Sequence, residues 1–143
     1  MVTVPDQPER IEALSVADAC ALAARWLISE DLARRMIRAA QVMWFNTRMP
    51  VSIISGFRSA AQQRQLEDAG RPAAPEGLST HRTCPATGAD IRILAWSPND
   101  VRASWMLFAT NEGLRVGGGG PIDEGTLLPV DWNHVDLGPR LQG

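Results

Sequence analysis

A chain of 143 residues, 45% apolar and 21% charged, has the size and composition of one folded domain with a core of its own. Its net charge of −2 and fourteen scattered cationic residues, every one an arginine, provide no basic field and argue against nucleic-acid binding. No apolar run reaches membrane-spanning length, and Met1 to Arg10 carries prolines and acids where a signal peptide needs basic then apolar residues, so a soluble cytoplasmic product is expected.

Ser15-Val16-Ala17-Asp18 has capping-box spacing, and the Ala/Leu-rich segment through Leu27 should be helical. Ser29 is placed to cap a second helix running to Asn46. In it Leu32, Met36, Ala40 and Met43 share one face, while Arg34, Arg35 and Arg38 lie largely elsewhere. Pro50 ends this stretch. Val51-Ser52-Ile53-Ile54-Ser55 is short and β-branched, bounded by Pro50 and Gly56, and reads as a core strand.

Ser59 to Ala69 follows with strong helix formers and Gly70 as a stop, which puts Arg58 at a strand-to-helix junction. Arg71 to Thr87 is rich in Pro, Gly, Ser and Thr, a long loop of the kind that tends to carry function. Ala89 to Leu94 alternates Asp90 and Arg92 with isoleucines, a strand with one polar face. Ser97-Pro98-Asn99-Asp100 opens a helix that Gly113 closes. Leu114 to Val116 is a strand leading into Gly117 to Gly120. This glycine run lacks the lysine of a phosphate-binding loop and the spacing of a dinucleotide fingerprint, and suits a turn or flexible rim. A last strand spans about Trp132 to Leu137.

Hydrolytic zinc sites take three protein ligands from His, Asp, Glu or Cys and leave a position for water. The chain has only two histidines, His81 and His134, each with acids nearby, in segments read as loop and strand. Spacing alone leaves open whether these are metal ligands or structural hydrogen bonds. The two cysteines, Cys20 and Cys84, are too few for a disulfide framework and leave the redox compartment open.

In chain order come Ser55-Gly56-Phe57-Arg58-Ser59 with Gln62 and Leu66, then Ser79-Thr80-His81, Gly88-Ala89-Asp90-Ile91, and Asp131-Trp132-Asn133-His134. Over roughly Ser55 to Leu137, this order resembles the M15 family of zinc peptidases. That family includes D-alanyl-D-alanine carboxypeptidases, vancomycin-resistance dipeptidases and phage L-alanyl-D-glutamate endopeptidases.

The resemblance implies zinc held by His81, Asp90 and His134, with Asp131 as general base and Arg58 near the scissile carbonyl or a substrate carboxylate. Ser79 would orient the ligand loop and Gln62 help fix it. It further implies an α+β fold of the hedgehog or D,D-peptidase kind. A small, mostly antiparallel sheet would carry the zinc site, and helices would pack on one face. One peptidase domain would span residues 1–143, with a helical part at about 11–47 and a zinc-site core at about 51–138. The first two helices would cover the sheet.

Two departures bear on the ligands. The family writes Ser-x-His-x-x-Gly-x-Ala-x-Asp, whereas eight residues separate His81 from Asp90 here, with Cys84 in the place of the first glycine. A two-residue loop insertion near Pro85 accounts for this, and so does a ligand role for Cys84. In His134-Val135-Asp136 the first and third residues share a strand face, so Asp136 could orient His134 or replace Asp131 as the base.

The implied substrate is a peptidoglycan stem peptide, cut at L-alanyl-D-glutamate in the manner of a phage endolysin that reaches the wall without a signal peptide. D-alanyl-D-alanine carboxypeptidase activity is the near alternative. A non-catalytic, zinc-stabilised phage structural or binding module is the alternative from another class, and a globule with incidental histidines a third. No membrane partner is expected, and the oligomeric state is open.

Overall fold

A computed structural model describes residue 5 and residues 7–57, 84–93, 100–117 and 132–138. Arg58, Gln62, Ser79, His81 and Asp131 lie outside these residues, as does the helix expected from Ser59 to Ala69.

The described elements form an α+β fold. They are β1 (Glu9–Arg10), a 3₁₀ turn (Val16–Asp18), α1 (Ala19–Trp26), α2 (Glu30–Thr47), β2 (Val51–Ser55), β3 (Gly88–Ile93), α3 (Asp100–Asn111), β4 (Arg115–Gly117) and β5 (Trp132–Asp136). The sheet order is β1-β2-β3-β5-β4, and every neighbouring pair is antiparallel. A sheet of this kind can pack one face on a core and leave the other polar.

The capping box forms, with the Asp18 carboxylate accepting from Ser15 N at 2.8 Å, and it opens the 3₁₀ turn ahead of α1. Ser29 caps α2 by accepting from Leu32 N at 3.0 Å. Leu32, Met36, Ala40 and Met43 are all fully buried, as their helical spacing predicts. Ile53, Ile91, Ile93, Ala89 and Val135 bury the inner face of the sheet in the same core as Trp26 of α1 and Trp105 of α3.

β1 was not foreseen. It pairs with β2, and Glu9 accepts from Trp26 Nε1 at 2.8 Å and from Arg25, which ties this edge to α1. Burial raises the Glu9 pKa, but the hydrogen bonds from Arg25 and Trp26 outweigh it and hold the carboxyl below its ordinary value.

Two features set the approach to the polar face. Between the pairs Ile53–Ile91 and Ser55–Asp90, β2 advances two residues while β3 advances one, a bulge that bends β2 beside Asp90. Gly56 then passes against the end of α1, with Phe57 N donating to the Trp26 carbonyl at 3.1 Å. A Cβ at Gly56 would overlap that carbonyl oxygen and lie 2.9 Å from Ile28 Cγ2. Gly56→Ala is therefore expected to cost roughly 1–3 kcal/mol by overpacking. For a domain of this size the melting temperature should fall by about 3–10 °C, readable by calorimetry.

The chain entering β3 is anchored at the opposite side of this junction. Ala86 N donates to Leu27 O and Ser29 N to Ala86 O, both at 2.8 Å, and Leu137 N donates to Thr87 O at 3.0 Å. Ala86 is buried, whereas Cys84 and Pro85 just before it are exposed.

Candidate functional site

Strand alternation selects the side chains of the outer face. Asp90 and Arg92 alternate with buried Ala89, Ile91 and Ile93, and His134 and Asp136 flank buried Val135. Register then brings them together, since Asp90 pairs with His134 across β3 and β5, and Asp136 pairs with Arg115 across β5 and β4.

The imidazole of His134 lies between two carboxylates. Its Nδ1 is 3.0 Å from Asp90 Oδ1 and its Nε2 is 2.8 Å from Asp136 Oδ2. Burial alone would lower the His134 pKa, but its hydrogen bonds to Asp136 and Asp90, with their charges, reverse this and raise it to about 9. In the metal-free protein at neutral pH the ring is a cation and donates through both nitrogens.

Asp136 is saturated. Its Oδ1 accepts from Arg115 Nε at 2.9 Å and Gly138 N at 2.8 Å, and its Oδ2 accepts from Arg115 Nη2 at 2.9 Å and His134 Nε2. A carboxylate offers about four lone-pair sites, and all are used. Burial raises the Asp136 pKa, yet the hydrogen bonds from His134, Arg115 and Gly138 outweigh it and hold the carboxyl below its usual range. Only 1% of this side chain is exposed. Asp136 is built to orient a neighbour and is poorly suited to accept a proton from water.

Two donors bound to a tetrahedral zinc at about 2.0–2.1 Å lie about 3.3 Å apart. The 3.0 Å between His134 Nδ1 and Asp90 Oδ1 is close to that span, and a metal at Nδ1 would leave Nε2–H bonded to Asp136. A carboxylate behind a ligating imidazole is the usual way such a ring is oriented. Among the described residues no three His, Cys, Asp or Glu side chains form a metal-binding group, so a complete site needs a donor from outside them. Cys84 is an exposed free thiol that does not join Asp90 and His134 in such a group.

Of the sequence-derived site residues, the structure brings Asp90, His134 and Asp136 together, and the other five lie outside the described residues. The pairing of Asp90 with His134 follows from the register of β3 against β5. Arg115 escaped the sequence reading. Its one signal was a charged residue between Leu114 and Val116, which only the β4–β5 register connects to Asp136.

No family model and no curated protein matches the chain. Among solved structures it is similar to that of the Serratia marcescens L-Ala D-Glu endopeptidase ChiX. The identity is 21% and the TM-score 0.48, over 78% of this chain and 81% of that one.

Proposed function

We propose that this chain is a zinc-dependent peptidase of peptidoglycan, hydrolysing an amide bond of the stem peptide, with His81, Asp90 and His134 as metal ligands. The observation that carries the reading is His134 held between Asp90 and Asp136, with donor atoms 3.0 Å apart on the side that would face a metal. The resemblance of the Ser-Gly-Phe-Arg-Ser, Ser-Thr-His and Asp-Trp-Asn-His segments to zinc peptidases supports it. His81 supplies the third donor.

Zinc bound there supplies a Lewis acid for the scissile carbonyl and lowers the pKa of a water. Asp131, three positions before His134, takes the proton of the attacking water and passes it to the leaving amine. Arg58, by the same resemblance, offers its guanidinium to the negative charge that develops on the carbonyl oxygen. Ser79 and Gln62 take, by the same resemblance, the supporting roles around His81. Asp136, with its lone pairs occupied, orients His134 and leaves the base role to Asp131. The bond cut is L-alanyl-D-glutamate.

The test is digestion of purified sacculi with zinc-loaded protein, followed by mass analysis of the released fragments. Wild type is expected to expose new L-alanine carboxyl and D-glutamate amino ends. Asp131→Ala should keep its zinc while peptide release falls about 10²–10⁴-fold. Release of D-alanine instead would move the assignment to a D,D-carboxypeptidase. Zinc uptake without fragments from either protein would make the chain a non-catalytic module, and absence of zinc uptake would sink the metal reading.

A further inference from the structure

Arg115 is the described side chain that β4 sends toward Asp136 on the outer face, and both of its fork nitrogens are spent there. Nε meets one carboxylate oxygen and Nη2 the other, each at 2.9 Å, the parallel geometry that a guanidinium makes and an ammonium cannot. The pair differs from an ordinary surface salt bridge in its asymmetry, since the Arg115 side chain is 53% exposed and the Asp136 side chain only 1%.

The position of Arg115 is itself fixed from the helical layer. Gly113 takes a φ of +79° at the end of α3, and the Arg35 guanidinium fills the space where a Cβ would stand. Arg35 Nη1 also donates to Glu112 O at 2.9 Å, so α2 holds the turn from which β4 starts. From there the register sets Arg115 directly across from Asp136.

We propose that Arg115 is a positioning residue for the metal site, clamping Asp136 so that Nε2 of His134 stays bonded to it and Nδ1 alone faces Asp90 and the ion. The inference rests on the reading of His134 as a ligand. Without the guanidinium, Asp136 would lose two of its four donors, one on each oxygen. It could then rotate, let the imidazole turn over, and offer a competing carboxylate to a metal. Gly138 N on Oδ1 and His134 Nε2 on Oδ2 would be its remaining partners.

The test uses the full chain with Arg115→Met, which keeps much of the stem and removes the donors, and Arg115→Lys, which keeps the charge without the fork. Zinc affinity is read by chelator competition. Solvent exchange of the His134 Nε2 proton is read by NMR on the metal-free protein, with a cooperative melt as the check on folding. Arg115→Met is expected to bind zinc about 10–100-fold more weakly and to lose the slow exchange of that proton, with Arg115→Lys between it and wild type.

Wild-type affinity and exchange in a folded Arg115→Met protein would overturn the assignment. If Arg115→Met does not fold, Arg115→Lys decides, with weaker binding and faster exchange supporting the clamp and wild-type values for both refuting it. If wild type itself takes up no zinc, the peptidase reading fails separately, and the exchange measurement alone judges Arg115.

Discussion

His134→Ala is expected to take up no stoichiometric zinc and to release stem peptides from sacculi no faster than a protein-free control. His134 lies between Asp90 and Asp136 on the outer face, and its loss removes one proposed ligand together with the group that links the two carboxylates. Neither neighbour can substitute, because Asp136 is committed to Arg115 and Gly138. The metal-free variant should also be less stable than the metal-free wild type at pH 7, by on the order of 3 kcal/mol. Two charge-assisted hydrogen bonds disappear, and two carboxylates on one face lose the cation between them. Metal analysis, the digestion assay and chemical denaturation check the three parts separately. Full zinc occupancy in His134→Ala would remove His134 from the ligand set.

The metal-free protein is expected to lose stability in the alkaline range. His134 has an ordinary pKa of 6.5, which the folded protein raises to about 9. Below about 6.5 both folded and unfolded chains carry this proton, and the stabilisation is fully present. Between the two values the folded state binds more protons, so stability falls as pH rises, and by about 9 the contribution is gone. The loss is on the order of 3 kcal/mol. On the acid side Asp136 acts in the opposite sense, since its lowered pKa gives stability that disappears as pH drops through the folded-state value.

Zinc at Nδ1 must displace a proton, so at pH 7 its uptake should release about one proton from His134. Apparent affinity should rise about tenfold per pH unit until about 9 and then level. Calorimetry in buffers of different ionisation enthalpy measures the proton count. Uptake at pH 7 with no proton released would mean that His134 is not displaced.

The described helices and the longer described strands were legible because their information is local. A cap at Ser29, an apolar stripe from Leu32 to Met43 and a glycine stop at Gly113 each act within a turn or two of chain. The alternation of β3 likewise announced which of its residues face outward. β1 was invisible, since Glu9 and Arg10 form too short a strand for any periodicity, and Glu9 owes its place to Trp26 and Arg25 across the fold.

The same division runs through the site. The spacing of His134 and Asp136 announced a shared face, and the motif order singled out Asp90. That Asp136 has its lone pairs occupied was not legible, since two of its four donors come from a strand whose pairing no local pattern encodes.

The anchoring of Ala86 to Leu27 and Ser29 has a bearing on how the outer-face cluster is specified. It fastens the backbone just before β3, so the place of Asp90 in the sheet is set there and not by the chain that precedes it. The separations that cannot drift are those across the sheet, Asp90 to His134 and Asp136 to Arg115. The outer-face cluster is thus written in paired strand positions more than in linear spacing.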